Sequence, residues 1–380
     1  MDKFMVISDS FKGSLSSREI CAVARECAAR VCPEWEAVCV PVADGGEGTL
    51  ECFREACGGM MVPAAVQGPF GEPAEAAWLR LPNGGAVVET AAAAGLSLAE
   101  GRENPALAGT YGVGQLIRAA VDGGCRTVTL GLGGSATNDA GCGCAAALGV
   151  RFLDEDGKPF VPVGATLDRI RKIDTAPAEE LLRDVRLRAM CDVDNPLCGP
   201  SGAALVFAPQ KGADPETARL LDGQLRAWDQ AVRQNLNRSA AEVPGAGAAG
   251  GLGAGMMALL GAELCPGIEA VLDAVEFERL LRGCGLVFTG EGRLDSQSLR
   301  GKAVSGIARR VRACGVPTVV LAGSVAPEME ESAALRQLGV EAVFSINRQA
   351  EAFSRSRPHS RENYARTFEN LLRLLKLNEK

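Results

Sequence analysis

Residues 4–49 read FMVISDSFKGSLSSREICAVARECAARVCPEWEAVCVPVADGGEGT and hold an apolar run, an amphipathic stretch and a second apolar run. The run at 4–7 predicts a strand, and Ser16 and Glu19 have the spacing of a capping box at a helix start. Apolar residues then recur at helical spacing up to Val31, and residues 38–42 predict the next strand. This β–α–β order favours a parallel sheet.

The alternation of strands and helices weakens in the middle of the chain and returns near its end. Prolines punctuate residues 59–90, where short alternating stretches predict hairpins or irregular strands. Further strands are predicted at 127–130, 186–191, 286–289, 317–321 and 342–346, and helices at 110–121, 139–148, 215–236, 302–314, 328–338 and 364–375. We interpret the chain as α/β with two α/β domains. A discontinuous parallel-sheet domain takes residues 1–60 and 285–380, and a mixed α/β domain is inserted at 61–284.

The composition excludes several classes of protein. A chain of 380 residues with 47% hydrophobic side chains is long enough for two hydrophobic cores. A net charge of −7 without a basic stripe argues against nucleic-acid binding. The first apolar run is too short for a signal peptide, and the uncharged stretch 243–262 is mostly glycine and alanine. We therefore expect a cytoplasmic protein with no membrane association.

The histidine and cysteine residues restrict the chemistry further. The single histidine, His359, leaves nothing for a histidine-dependent triad or a polyhistidine metal site. None of the 14 cysteines forms a Cys-x-x-Cys pair, so the zinc and thioredoxin spacings are missing and we expect small buried thiols. Carboxylates, lysines, hydroxyls or backbone amides must carry the chemistry.

Small, polar, glycine-rich segments follow the predicted strands, starting at residues 8, 43, 131, 192, 290 and 322. In open α/β sheets ligands bind outside the carboxyl ends of the strands, where glycine lets backbone N–H groups close on an anion. The same segments carry carboxylates, namely Asp9, Asp44, Glu47, Asp139, Asp192, Asp194, Glu291 and Asp295. Because Mg²⁺ binds one or two carboxylates together with phosphate oxygens, the combination predicts a Mg²⁺–nucleotide enzyme.

The segment 131–136 also fits the relaxed dinucleotide fingerprint of an NAD(P) enzyme. It reads Gly-x-Gly-x-x-Ala, and Asp154 or Asp156 follows at the spacing of the ribose-binding acid. Asp139 argues against this alternative because it places a carboxylate close to where the pyrophosphate would lie. A P-loop is excluded at 296–303, which lacks both the first glycine and the final hydroxyl residue.

Several residues stay open between a functional and a structural interpretation. Lys12 lies in the first glycine-rich segment, and Arg293 and Lys302 lie in or near the fifth. Each is either a ligand-binding cation or an ordinary surface cation. The glycine-alanine segment 245–255 is either a flexible ligand loop or the start of a closely packed helix.

At these motifs the chain resembles the type I glycerate kinase family. The matching segments run in order over nearly the whole chain and read DSFKGS (9–14), ADGGEGT (43–49), GLGGSATNDAG (131–141), AAGGLGAG (248–255) and TGEGRLD (289–295). GLGGSA alone would also suggest a GHMP-type small-molecule kinase. Ser8 departs from the family pattern, which has proline before Asp9.

The resemblance implies ATP-dependent phosphorylation of D-glycerate to 2-phosphoglycerate, with 3-phosphoglycerate as the alternative product. It also implies a flavodoxin-like domain built from both chain ends and a distinct α/β domain between them. An NAD(P)-dependent oxidoreductase of a small hydroxy acid and a nucleotide sensor without turnover are the alternatives from other classes. For the oligomeric state, a homodimer is an open option.

Within this reading we assign expected roles to individual residues. Asp192 would take the proton of the glycerate hydroxyl or orient that hydroxyl, and Arg293 or Lys12 would pair with the glycerate carboxylate. Asp44, Glu47 or Asp295 would hold Mg²⁺ directly or through water. The remaining candidates are Asp9, Ser10, Asn138, Asp139 and Asn195 for the substrate, and Gly133, Gly134, Ser135, Thr137, Gly251, Gly253, Glu291 and Lys302 for the nucleotide.

Overall fold

The structure is a computed structural model that describes residues 2–43, 45–46, 48–299, 303–329, 333–347, 349 and 351–377. The chain divides into two units, which we call terminal and central. The terminal unit comprises Met1–Ala43, Glu55–Cys57 and Ile268–Lys380, and the central unit comprises Asp44–Arg54 and Gly58–Gly267.

Strands and helices alternate along most of the chain. The strands are β1 (Lys3–Ser8), β2 (Glu36–Pro41), β3 (Met60–Gln67), β4 (Pro73–Arg80), β5 (Ala86–Glu89), β6 (Thr127–Gly131), β7 (Arg151–Leu153), β8 (Pro159–Phe160), β9 (Lys172–Asp174), β10 (Arg186–Met190), β11 (Glu263–Cys265), β12 (Val287–Leu294), β13 (Thr318–Val325) and β14 (Val340–Ser345).

The α-helices are α1 (Ser17–Val31), α2 (Thr49–Cys57), α3 (Ala91–Ala94), α4 (Tyr111–Asp122), α5 (Cys142–Ala147), α6 (Ala176–Leu182), α7 (Ala203–Phe207), α8 (Pro215–Leu236), α9 (Ala248–Leu260), α10 (Gly267–Ala274), α11 (Phe277–Leu281), α12 (Ala303–Ala313), α13 (Ala333–Gln337), α14 (Phe353–Ser356) and α15 (Ser360–Leu377). Short 3₁₀ turns lie at Ser97–Ala99, Gly164–Arg169, Pro209–Lys211, Ser296–Leu299, Pro327–Met329 and Arg357–His359.

The terminal unit contains a parallel sheet in the order β14–β13–β12–β1–β2. The capping box predicted before α1 is present, with the Ser16 hydroxyl accepting from the Glu19 amide and the Glu19 carboxylate accepting from the Ser16 amide. Aromatic rings from both chain ends meet under the sheet, where Phe288 lies edge-on to Phe4 and to Phe368. Burial of these rings joins the first and last segments of the chain in one core.

Two predicted strand ends are wrong in the terminal unit. We expected loops to begin at residues 290 and 322, but β12 continues to Leu294 and β13 continues to Val325. Glycine here permits close backbone packing and does not end the strand, because a Cβ on Gly290 would lie 2.0 Å from the Leu321 carbonyl oxygen. The predicted site residues Glu291 and Arg293 are therefore strand residues.

The helix predicted at 328–338 is described in two pieces. Its first part lies in the 3₁₀ turn Pro327–Met329 and its last part in α13, while residues 330–332 lie outside the described residues.

The central unit is built around a mixed sheet in the order β11–β10–β6–β5–β4–β3. β3 and β4 form the antiparallel hairpin predicted at 59–90, and β5, β6, β10 and β11 are parallel neighbours. A small antiparallel sheet of β8, β7 and β9 lies apart from it. With a parallel sheet in one unit and a mixed sheet in the other, the α/β class is confirmed.

The glycine-alanine segment at 245–255 is the start of a closely packed helix. Residues 249–251 have positive φ within the first turn of α9. A Cβ on Gly250 would lie 2.0 Å from the Thr137 carbonyl oxygen, and one on Gly255 would lie 2.1 Å from the Ala140 carbonyl oxygen. The glycines therefore let α9 pack directly against the backbone that follows β6.

Among the described residues, no helix combines the length and the apolar character needed to cross a membrane.

Candidate active site

A cavity of about 300 Å³ opens in the central unit beyond the carboxyl ends of β6 and β10. The residues around it come from separate parts of the chain and are Gly46, Leu96, Leu132, Gly133, Gly134, Ser135, Met190, Cys191, Asp192, Val193, Phe207, Gln210, Lys211, Ala248 and Ala249. Loops after parallel strands, carrying glycine amides, a carboxylate and a lysine, form the arrangement expected for binding an anionic ligand.

The segment 131–141, which we call the glycine loop, provides the backbone of this cavity. A Cβ on Gly133 would lie 2.5 Å from the Gly46 Cα, so only glycine permits the close approach of these two loops. Gly134 has φ +74°, a left-handed conformation that favours glycine. The Gly133 amide donates to the Gly45 carbonyl oxygen at 2.8 Å, so Gly134 and Ser135 are the loop residues whose amides can bind a ligand in the cavity.

Asp139 belongs to the glycine loop, and its buried side chain holds the shape of the loop. One carboxylate oxygen accepts hydrogen bonds from the Thr110 amide and hydroxyl, each 2.8 Å away, and from the Gly143 amide at 3.1 Å. The other accepts from the Gly141 amide at 3.1 Å. Burial raises the pKa of the Asp139 carboxyl, against the effect of these hydrogen bonds. Its place in the structure is that of a buried loop anchor.

Thr137 and Asn138, also predicted site residues, are buried in the same loop. The Asn138 amide oxygen and nitrogen and the Thr137 hydroxyl have no hydrogen-bond partner within the described part of the chain. Neither side chain lines the cavity.

Lys211 is a cavity residue that the sequence reasoning missed. Its side chain is buried, and its ammonium donates to the Ser135 hydroxyl at 2.9 Å and to the Thr137 carbonyl oxygen at 2.8 Å. Burial lowers the pKa of Lys211 to about 7. The surrounding sequence, PQKG, is that of a surface turn, so no local signal distinguishes this lysine.

Asp192, the predicted proton acceptor, follows β10 and lines the cavity. Its Oδ1 accepts a hydrogen bond from the Gly267 amide at 2.9 Å, which fixes the orientation of the carboxylate. Asp192 is an exposed residue. A fixed and accessible carboxylate beside an anion-binding loop is suited to general-base chemistry.

The other candidates in the central unit have packing or turn contacts. The Asn195 amide donates to the Ser201 carbonyl oxygen at 2.7 Å. A Cβ on Gly253 would lie 2.4 Å from the Gly245 carbonyl oxygen, and one on Gly251 would lie 2.9 Å from Leu197. These two glycines pack the start of α9 and do not line the cavity.

A second group of predicted residues gathers in the terminal unit, where β1 and β12 run side by side. The Asp9 amide donates to the Gly290 carbonyl oxygen at 2.9 Å, and the Asp9 carboxylate accepts from the Ser10 amide at 2.7 Å. A Cβ on Gly292 would lie 3.1 Å from the backbone nitrogen of Lys12. The first glycine-rich segment therefore lies directly against the end of β12, which carries Glu291.

Arg293 and Asp295 continue this group. The Arg293 Nε lies 3.6 Å from an Asp295 carboxylate oxygen, and the Arg293 side chain is 72% exposed. Because an exposed ion pair is weak, this pairing leaves the guanidinium accessible to an anionic ligand. The Asp295 carboxylate also accepts from the Gln297 amide at 2.9 Å.

Three predicted site residues, Asp44, Glu47 and Lys302, lie outside the described residues. The neighbours Gly45 and Gly46 are described, and Gly46 lines the cavity. Across the described residues, no cluster of three or more histidine, cysteine, aspartate or glutamate side chains is placed to hold a metal ion.

The dinucleotide interpretation fails on the position of its acidic residue. Asp154 follows β7, which belongs to the small antiparallel sheet and not to the sheet that carries the glycine loop. Its carboxylate accepts hydrogen bonds from the Asp156 and Lys158 amides at 3.1 and 2.9 Å. Such bonds from an aspartate to the amides that follow it are typical of a turn.

Comparisons with known proteins agree with each other. The family model described as the glycerate kinase family matches residues 4–376. A glycerate kinase from Halalkalibacterium halodurans is 41% identical over 348 residues, covering 91% of this chain and 91% of the relative. A glycerate 2-kinase from Escherichia coli is 40% identical over 346 residues, covering 90% of each chain. A crystal structure from Salmonella typhimurium LT2, assigned there as a glycerate kinase 2, superposes with a TM-score of 0.83 at 36% identity and covers 99% of each chain.

Proposed function

The chain belongs to the glycerate kinase family, and from that premise we propose that it phosphorylates the carbon-2 hydroxyl of D-glycerate, giving 2-phosphoglycerate and ADP. The chain is a kinase, and membership of the family implies ATP as the phosphate donor. The choice of carbon 2 over carbon 3 is supported by the name of the Escherichia coli relative, glycerate 2-kinase.

One observation supports the location of the chemistry more than any other. Gly134 and Ser135 with their backbone amides, the Lys211 ammonium and the Asp192 carboxylate border the same cavity in the central unit. The amides and the ammonium can bind phosphate oxygens, and the carboxylate can accept a proton. Phosphoryl transfer needs little else from a protein, because its loose transition state is stabilised mainly by positioning and charge neutralisation.

In the proposed step the glycerate hydroxyl oxygen forms a bond to the γ-phosphorus of ATP. The bond from that phosphorus to the β–γ bridging oxygen breaks, and its electron pair leaves with ADP. The hydroxyl proton passes to the Asp192 carboxylate, whose orientation is fixed by the Gly267 amide. The backbone amides of Gly134 and Ser135 bind the phosphate oxygens during the transfer.

We propose that Mg²⁺ accompanies the nucleotide and is held, directly or through water, by Asp44, Glu47 or Asp295. Their carboxylate oxygens are the donors that Mg²⁺ prefers, and the bound ion would neutralise charge on the phosphates. The Asp295 side chain is 29% exposed, so its carboxylate can be reached from solvent. The proposal predicts that removing divalent cations with EDTA abolishes turnover and that Mg²⁺ restores it.

Arg293 and Lys12 are proposed to bind the glycerate carboxylate, with Arg293 preferred because its planar fork can bind a carboxylate through two hydrogen bonds. Arg293→Ala should then raise the KM for D-glycerate and leave the KM for ATP nearly unchanged. Arg309→Ala, which removes an exposed arginine from α12, is the matched control. An effect of Arg293→Ala on the KM for ATP alone would contradict this assignment.

A coupled assay of ADP release with and without D-glycerate tests the reaction itself. The proposal predicts release that depends on D-glycerate, whereas a nucleotide sensor would bind ATP without turnover. The carbon that receives the phosphate is read from ³¹P–¹H coupling in the product. Coupling to the single carbon-2 proton supports 2-phosphoglycerate, and coupling to the two carbon-3 protons would show 3-phosphoglycerate.

A further inference from the structure

The Lys211 ammonium has hydrogen-bonding capacity beyond its protein contacts. A lysine has three N–H donors, and Lys211 uses two of them on the Ser135 hydroxyl and the Thr137 carbonyl oxygen. The side chain also lines the cavity beside residues 133–135. A third donor is therefore available at the place where the glycine loop presents its amides.

The charge of Lys211 is poorly compensated inside the central unit. Among the described residues it forms no ion pair, although the side chain is only 3% exposed. Both of its hydrogen-bond partners are neutral oxygens. Burying an ammonium without an anion is unfavourable, so the site is more stable when Lys211 is neutral or when an anion binds beside it.

The charged groups around Lys211 do not neutralise its buried positive charge. Asp139 is the carboxylate that acts on it electrostatically, but its oxygens are bonded to Thr110, Gly141 and Gly143. Asp192 lines the same cavity and is exposed to solvent. Glu103 packs beside Gly212 on the following turn, through its Cβ and backbone. α7, which precedes the Lys211 turn, carries no charged side chain.

We infer that Lys211 binds the terminal phosphate of the nucleotide and takes up a proton from solvent as the phosphate enters the cavity. The inference rests on the proposed kinase function and assigns a residue to its phosphate site. In the free protein the pKa of Lys211 is about 7, so at pH 8 most molecules carry neutral Lys211. A phosphate beside it favours the ammonium form, and the added proton neutralises part of the phosphate charge.

The direct test is isothermal titration calorimetry of Mg²⁺ and the non-hydrolysable analogue AMP-PNP at pH 8. Titration in two buffers with different ionisation enthalpies gives the number of protons taken up on binding. The wild-type protein should take up close to one proton more than Lys211→Met. Because a charge-assisted hydrogen bond is lost, Lys211→Met should also bind AMP-PNP about 10–100-fold more weakly.

Two further variants separate charge from a general disturbance of the site. Lys158→Met removes an exposed lysine, with a side chain 73% exposed, and should leave both affinity and proton uptake unchanged. Lys211→Arg keeps a permanent cation and should bind AMP-PNP more tightly than Lys211→Met, without the extra proton uptake. Thermal unfolding of each variant checks that it is folded. If Lys211→Met does not fold, proton uptake by Lys211→Arg is compared with that of the wild type.

The possible results distinguish this inference from the proposed function. Binding of AMP-PNP with equal proton uptake in the wild type, Lys211→Met and Lys211→Arg would overturn the role of Lys211 and leave the kinase proposal intact. If the wild type took up as many protons on binding D-glycerate alone as on binding AMP-PNP, Lys211 would be assigned to the substrate carboxylate. That result would overturn its assignment to the phosphate. Failure of the wild type to bind AMP-PNP would remove both the proposed function and this inference.

Discussion

Two glycine-rich segments of this chain look alike in sequence and differ in structure. The glycine loop at 131–141 leaves β6 and borders a cavity in the central unit. The segment 290–295 stays mostly within β12 and pairs with β13 through Leu294. In the first segment glycine provides a left-handed turn and exposes amides, and in the second it lets two backbones pack closely. A glycine-rich sequence therefore indicates that another group lies close to the backbone. It does not indicate whether that group is a ligand or a neighbouring strand.

The largest stability effect is expected from adding a side chain at the strand glycine. Gly290→Ala places a Cβ 2.0 Å from the Leu321 carbonyl oxygen, so the β12–β13 pair must separate or shift. We expect a loss of about 3 kcal/mol or more in the stability of the terminal unit. Urea unfolding followed by hydrogen exchange of β12 and β13 measures the loss.

The matched control for Gly290→Ala is a glycine with open space around it. Gly223 lies within α8, and no atom lies within 4 Å of a Cβ added there. Gly223→Ala should stabilise the protein by about 0.5–1 kcal/mol, because alanine is the better helix residue. Equal effects of the two variants would show that close packing is not what glycine provides in β12.

A smaller effect on stability and a larger one on catalysis are expected when the anchor of the glycine loop is removed. Asp139→Ala leaves the Thr110, Gly141 and Gly143 amides without their acceptor in a buried site. The expected loss is about 1–3 kcal/mol in the central unit, together with a fall in kcat as the loop loses its shape. Unchanged kcat in a destabilised Asp139→Ala protein would show that the loop conformation does not matter for the reaction.

Gly134→Ala tests the left-handed turn in the glycine loop. Alanine at φ +74° is expected to cost about 1–2 kcal/mol, and its Cβ would lie 3.2 Å from Ala91. The KM for ATP should rise more than the KM for D-glycerate, because the amides of Gly134 and Ser135 are proposed to bind the phosphates. Steady-state kinetics with each substrate varied in turn checks this split.

The effect most specific to the cavity is a change in stability with pH. Lys211→Met should raise the Tm of the ligand-free protein at pH 6, where the wild type carries a buried ammonium. Between about pH 7 and the ordinary lysine range the unfolded wild-type chain binds more protons than the folded one. Wild-type stability therefore rises with pH in this window, and the advantage of Lys211→Met should shrink by pH 9. A pH-independent Tm difference would contradict the burial of a titrating Lys211.

Local signals in the sequence predicted much of the fold. The capping box at Ser16 identified the start of α1, and apolar residues at helical spacing identified α8. Alternating residues predicted hairpins or irregular strands at 59–90, where the structure has the β3–β4 hairpin. These features depend on neighbours a few residues apart, so a single sequence contains them. The parallel order of β1 and β2 follows from the helix between them.

The sequence could not predict features that depend on distant contacts. The extension of β12 to Leu294 is set by its pairing with β13, and the burial of Lys211 is set by Ser135 and Thr137, more than 70 positions earlier in the chain. Asp192 was identified because it directly follows an apolar strand, which is a local signal. Lys211 lies in a turn that resembles an ordinary surface turn, so its function could be inferred only from the structure.

The proposed proton transfer to Asp192 is decided by the turnover of Asp192→Asn. Asparagine keeps the oxygen that accepts from the Gly267 amide and removes the proton-accepting charge. Asp194→Asn, a change in the same exposed segment outside the cavity lining, is the control. We predict a fall in kcat of about 10²–10⁴-fold for Asp192→Asn, with AMP-PNP affinity and fold retained. Near-normal kcat in a folded Asp192→Asn protein would contradict the assignment of this cavity as the site of proton transfer.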